Sequence, residues 1–225
     1  MALSESHARS SGASSDLLPL RGKCAWNVCL ASPDVRLAGS VDRTAIAAML
    51  ARAFADDPAT SFIFPDPAER ARRLPRMFAL LFDEDAHGMR LVTASGEAAA
   101  LWRAPGRNHT GILDMLLQAW PMWRIFGGAL GRALAVSNAI DANFPDGEYW
   151  YLHIAGCDPA AQGKGLGGAV IRAALDRVAG SGLPAYLETA TPRNLGFYRG
   201  LGFEITGEWD VPRGGPHFWS MLRPA

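Results

Sequence analysis

The chain has no surplus of charge. Its 22 lysines and arginines match its 22 aspartates and glutamates. Binding to nucleic acid or to an anionic membrane surface rests on a basic excess, so the composition argues against both. No apolar run is long enough to cross a bilayer. Cysteine is scarce: Cys24, Cys29 and Cys157 form no metal-ligand spacing and leave one thiol over in any disulfide scheme. No metal site is expected, and the thiols read as free in a reducing cytoplasm. The opening MALSESHARSSGASSD lacks the positive start and apolar stretch of a signal peptide. Residues 1–34 are small and polar without a period and read as a flexible tail.

What is present is enough apolar sequence for a core. With 225 residues, 49% of them hydrophobic, the chain suits one domain over 35–225 that carries a helical insertion at 107–147. VRLAG (35–39) reads as a strand. RTAIAAMLARAF reads as a helix with Ile46, Met49, Leu50 and Phe54 at helical spacing, and the prolines of DDPATSFIFPDP break it. ERARRLPRMFALLFDED is a second helix, with Pro75 in its first turn or at a kink. MRLVTAS and EAAALWRAP are strands joined by a tight turn at Gly96. Helical patches fill 107–147. EYWYLHIAG is the strongest strand signal, aromatic and apolar with no breaker. A glycine-rich loop, a helix to Val178, the strand PAYLET, the short helix NLGFYRGL and a closing strand pair complete the order.

The loop GCDPAAQGKGLGGAV, residues 156–170, carries the chemistry. Small residues let successive backbone N–H groups converge on one cluster of oxygens, and the following helix adds its positive end, so the loop suits a phosphate. It is not the nucleoside triphosphate loop: Gly165 follows Gly163-Lys164 where Ser or Thr is needed, and Asp158 stands in place of the first glycine. Gly163, Gly165 and Gly168 also spell G-x-G-x-x-G, with Glu188 about 20 residues on, as in dinucleotide-binding folds. Against that reading, the strand ends near Ala155, Pro159 intervenes, and too little chain remains for a doubly wound sheet. Gln162-Gly163-Lys164-Gly165-Leu166-Gly167 fits Q/R-x-x-G-x-G/A, and this pattern resembles the acyl-coenzyme A loop of the GNAT superfamily of N-acetyltransferases. YWYLHIAGCDPAAQGKGLGGAVI, GLPAYLETATPRNLGFYRGLGF and AAALWRAP resemble puromycin N-acetyltransferase and its relatives within that superfamily.

The resemblance implies an α/β fold: a mixed, mostly antiparallel sheet of about seven strands, splayed at the acyl-coenzyme A site and flanked by helices. It implies acetyl-CoA as co-substrate, bound by the amides of Gln162, Gly163, Lys164, Gly165, Leu166, Gly167 and Gly168. Ile154, Ala155 and Cys157 would lie on a bulged strand that offers a backbone oxyanion donor, and Asn194 would bond the pantetheine arm. Cys157 stands where the family has a small apolar residue and reads as one. Amide formation also needs an acid for the leaving thiolate and a route for the amine proton. Tyr198 is the acid by this resemblance; from spacing alone it shares a helix face with Leu195 and Leu201. Glu188 is favoured as base, His153 is its rival, and a water chain is the third choice. Trp102, Trp120, Trp123, Phe126, Phe144 and Trp150 are candidate acceptor-pocket walls, half of them expected in the core. The expected acceptor is a small-molecule primary amine, bulky and partly aromatic, and the expected assembly a monomer or homodimer. A protein or peptide amine, a catalytically silent coenzyme A-binding module and a dinucleotide-dependent oxidoreductase are the alternatives.

Overall fold

Seven short runs of strand-forming sequence pair into one sheet in the order β1-β2-β3-β4-β5-β7-β6. The computed structural model describes residues 33–107, 120 and 122–225. The expected tail, apart from its last two residues, and most of ILDMLLQAWPMWRIF lie outside the described residues. The strands are β1 (Val35–Leu37), β2 (Met89–Thr93), β3 (Ala98–Arg103), β4 (Trp150–Cys157), β5 (Ala185–Thr189), β6 (Glu204–Asp210) and β7 (His217–Arg223). All neighbours are antiparallel except β4 and β5. This is the mixed, mostly antiparallel sheet the sequence led us to expect.

Strand β3 shows why the sheet is buried on both faces. Its AAALW run has no polar position, yet the period of two still sorts it. Ala99 and Leu101 pack with α1 (Arg43–Ala53) and α3 (Pro67–Glu84). Ala98, Ala100 and Trp102 pack on the other side, against α5 (Leu166–Val178). Helix α1 buries Ile46, Ala47, Met49 and Leu50, one face of a 3.6-residue period.

Two expectations about prolines are corrected. DDPATSFIFPDP is not merely a break. It contains α2 (Pro58–Ile63), which Asp57 caps by accepting from the N–H groups of Ala59 at 2.9 Å and Thr60 at 3.2 Å. Proline at a first helical position lacks only an N–H that would have no partner there. Pro75 does not lie in the first turn: α3 runs through it. The carbonyl it leaves without a helical partner belongs to Ala71, which is exposed and open to water.

Strands β4 and β5 pair at only two positions, Trp150 with Ala185 and Tyr151 with Tyr186, and then part. The register of β3 against β4 slips between Leu101–Ile154 and Trp102–Leu152, which leaves His153 as the extra residue of a bulge. The bulge was expected at Ile154 to Cys157; those residues pair regularly with β3. Helix α4 (Leu130–Asp141) lies within the 107–147 insertion, and α6 (Asn194–Arg199) follows β5.

Candidate active site

The parting of β4 and β5 opens a cleft that the glycine loop closes on one side. Gly163 and Gly165 hold φ of +81° and +78°, conformations that L side chains rarely adopt. Gly165 is the N-cap of α5 and supplies no side-chain cap, so a 13-residue helix brings its N-terminus to the cleft, with the Gly167 N–H bonded to the Cys157 thiol. A Cβ at either glycine would meet nothing within 4 Å. Open space in front of amides at a helix N-terminus fits the pyrophosphate of coenzyme A. Gly156 is glycine for another reason: its Cβ would stand 2.6 Å from Leu50 Cδ2, so α1 packs directly on β4.

This cleft has a volume of about 560 Å³. Ala155, Cys157, Gln162, Gly163, Gly165, Leu166, Gly167, Gly168, Asn194 and Tyr198 all line it, as the sequence led us to expect. Two expected cofactor residues do not. Lys164 is exposed and lies 3.7 Å from Glu97, because its position on the loop turns it outward. Ile154 lines a second cavity instead. Gln162 Nε2 donates to the Cys157 carbonyl at 3.4 Å and helps tie the loop to β4. Asn194 begins α6, and Arg193, not Asn194, is the N-cap. Burial, then the Asp158 and Glu97 charges, pushes the Cys157 thiol up, so the thiolate needed for nucleophilic attack is disfavoured.

The second cavity, about 480 Å³, shares Phe54, Asp57, Ala155, Asn194 and Tyr198 with the first. Tyr198 therefore stands where the two meet. Burial, then the Glu188 and Asp57 charges, raises its phenol above the ordinary tyrosine value, so it keeps its proton.

Glu188 lines the second cavity from β5. The Tyr151 hydroxyl donates to its Oε1, while Oε2 is sealed from solvent and has no hydrogen-bond partner among the described residues. Burial pushes the carboxyl up to about 8, against the Tyr151 hydrogen bond and the Arg103 charge. A carboxyl with that value sits near working pH, where general bases are most effective. His153 is held differently. Its Nδ1 lies 2.8 Å from Asp85 Oδ2, and Arg103 Nη2 lies 3.5 Å from its Nε2. With Asp85 accepting from Nδ1–H, the free lone pair faces a guanidinium. The structure thus gives the imidazole two charged neighbours and leaves Glu188 an unoccupied oxygen.

Sequence reasoning missed Tyr151, Asp85, Arg103, Glu84 and Asp57. Tyr151 was within reach, since it stands two residues before His153 and so shares its face of β4. Asp85 had no such signal: it comes from the end of α3, 68 residues before His153. The aromatic expectations divide. Phe126 and Phe144 line the second cavity. Trp102 is sealed in the core under α5, and the Trp150 indole N–H donates to Ser181 Oγ at 3.3 Å, outside both cavities. Trp120 and Trp123 stack on each other at 5.3 Å and are 64% and 57% exposed, so neither lines the cavity.

A model of the acetyltransferase (GNAT) family matches residues 53–203, the span from the end of α1 through the glycine loop to the end of α6. The chain belongs to the GNAT acetyltransferase family. Among solved structures, the GNAT chain is similar to one from Corynebacterium glutamicum described as histone acetyltransferase HPA2 and related acetyltransferase. They share 28% identity with a TM-score of 0.64, over 86% of this chain and 97% of that one. Arylalkylamine N-acetyltransferase 2 from Aedes aegypti shares the fold, with a TM-score of 0.55 at 13% identity over 84% of this chain and 97% of that one. A mycothiol acetyltransferase from a Nocardioides species is 40% identical over 62 residues, 26% of this chain and 21% of its own length. The chain thus spans about a fifth of that relative. These matches support the GNAT family and give no particular support to its puromycin-type branch. Among the described residues, no helix is long and apolar enough to cross a membrane and no cluster could hold a metal ion.

Proposed function

We propose that the protein transfers acetyl from acetyl-CoA to a primary amine of a small molecule by direct attack. The observation that carries this reading is the meeting of two cavities at Tyr198, one lined by the glycine loop at a helix N-terminus and the other by Glu188. The amides between Gly163 and Gly168 hold the pyrophosphate, and Asn194 bonds the pantetheine arm. Ala155 of β4 lines both cavities, and the backbone there is the oxyanion donor in this reading. Glu188 takes a proton from the ammonium. The amine nitrogen then bonds to the carbonyl carbon, and the carbon–sulfur bond breaks as the Tyr198 hydroxyl gives its proton to the departing sulfur; the second proton shed by the new amide nitrogen restores Tyr198 by way of solvent, and Glu188 releases its own to solvent. The apolar walls, Met77, Phe78, Phe126, Ile140 and Phe144 among them, suit a bulky, partly aromatic body. A protein of cytoplasmic location, monomeric or dimeric, fits this activity.

The test is an acceptor screen by mass spectrometry with amines from polyamines to aminonucleosides such as puromycin, run beside peptide lysines. Preference for peptide lysine over every bulky amine overturns the small-molecule reading. Thiol release with no amine in the panel would leave only a coenzyme A-binding module.

Two results are expected at Glu188. In the productive complex Glu188 is ionised and the acceptor arrives as an ammonium. The value of kcat/KM should therefore rise tenfold per pH unit up to about 8, where the Glu188 carboxyl titrates. In Glu188→Gln only the free amine can react, so the break moves to the acceptor's own pKa and kcat falls. A profile that keeps its break near 8 in Glu188→Gln but loses it in His153→Phe makes His153 the base. The second result is thermal. Folding raises the Glu188 value, so its neutral form favours the fold at low pH, and that stability is lost as pH rises through about 8. The melting temperature of Glu188→Gln relative to wild type should therefore climb between pH 5 and pH 9. A difference that stays constant shows that Glu188 is not titrating in the fold.

A further inference from the structure

The acceptor cavity is unevenly charged. Carboxylates from Asp57, Glu84, Asp141 and Glu188 line it, against one guanidinium, Arg103, and one imidazole, His153. Much of this charge already has a structural role. Asp57 caps α2 with one oxygen and accepts from Thr191 with the other. Asp85, fully buried behind the wall, takes Arg103 Nε at 2.8 Å on one oxygen and His153 Nδ1 at 2.8 Å on the other. Among the described residues Glu84 has one ion pair, Oε2 to Arg103 Nη2 at 3.2 Å, with a guanidinium whose Nε is on Asp85. Two carboxylates thus share one permanent cation. Burial holds the Glu84 carboxyl above the usual carboxylate value, against the pull of Arg103 and His153.

The sheet sets Glu84 apart from the reacting end. Arg103 on β3 pairs in register with Tyr151 on β4, and Tyr151 with Tyr186 on β5, the strand of Glu188. Two strand spacings of about 4.8 Å put the backbones of Arg103, which holds Glu84, and of Tyr186, on the strand of Glu188, roughly 10 Å apart. Leu80, Leu81, Met77, Ile140 and Phe144 line the same cavity. We propose that Glu84 is a second cation-binding pole, so that the preferred acceptor is a diamine. One nitrogen reacts beside Glu188 and Tyr198, an apolar spacer lies along the hydrophobic wall, and the second cationic nitrogen sits against Glu84. An acceptor with a carboxylate or phosphate in that place meets the negative surplus and is rejected. The inference rests on the acetyl-transfer reading above.

The test uses the full chain with acetyl-CoA and three acceptors of one length: diaminooctane, octylamine and aminooctanoate. For wild type, kcat/KM per reactive nitrogen should be greatest for the diamine, above octylamine by about tenfold, the scale of one partly buried charge pair. Aminooctanoate should be last. In Glu84→Gln the diamine-to-octylamine ratio should fall to about one, and in Glu84→Asp, which keeps the charge, the preference should persist. Octylamine equal to the diamine in wild type, or a ratio that survives Glu84→Gln, overturns the proposal. Thermal shift without acetyl-CoA separates this from the activity itself. If the diamine raises the melting temperature of wild type but not of Glu84→Gln while no amine is acetylated, the pole stands and the transfer reading falls.

Discussion

Gly165→Glu is expected to remove acetyl-CoA binding from a chain that still folds. Gly165 caps α5 at φ +78°, and a Cβ there points into open space at the mouth of the cleft. A glutamate would therefore enter the volume we propose for the pyrophosphate without striking the core. It would also set a negative charge against the helix N-terminus, where the amides would bond the carboxylate instead of a phosphate. Calorimetry should show a loss on the order of 10²-fold or more in affinity. Part of any effect is backbone strain, about 1–2 kcal/mol for a left-handed L-residue. Gly165→Asn isolates that part, since asparagine tolerates the conformation and carries no charge. It should keep measurable binding. Unchanged affinity in Gly165→Glu would remove the cofactor assignment, and tighter binding of a nicotinamide dinucleotide would replace it with the rival reading of G-x-G-x-x-G.

The glycine loop was readable because its conformation is a matter of backbone, and a backbone that needs left-handed turns shows in sequence as the absence of side chains. Gly163 and Gly165 take left-handed conformations, so their identity encodes geometry directly. The sheet was readable for a similar reason: each strand is a local pattern, and the doubly buried β3 announces itself by having no polar residue in AAALW. The acceptor site was readable only in part. Glu188 and Tyr198 lie in motifs that resemble a family, but the state of Glu188 depends on Tyr151, 37 residues earlier, and on burial that no local pattern records. His153 looked like a base because an imidazole titrates near neutrality. Its neighbours come from α3 and β3, and they make it part of an ion cluster with Asp85 and Arg103. Trp120 and Trp123 looked like pocket walls because large aromatics are usually buried, and the structure leaves both on the surface. Long-range charge and surface exposure are set by tertiary packing, and these were the features that sequence spacing could not supply.

Tyr198→Phe is expected to lower kcat by roughly 10²-fold or more, within the usual range for the loss of a positioned acid. The substitution removes one oxygen and keeps the ring, so the packing on Phe197 at 5.2 Å and Phe203 at 6.1 Å persists. The melting temperature should change little for that reason. The Michaelis constant for acetyl-CoA should also hold, because the pyrophosphate amides and Asn194 are untouched. Burial raises the phenol's pKa, so it enters the reaction with its proton in place. Its place matters as much. It is one of five residues that line both cavities, and the only one of those five with a dissociable hydroxyl. Asp57, which also lines both, already gives its oxygens to Ala59, Thr60 and Thr191. If Tyr198→Phe turned over at near-normal rate, the hydroxyl would reduce to cavity lining, and the proton for the leaving sulfur would have to come from solvent.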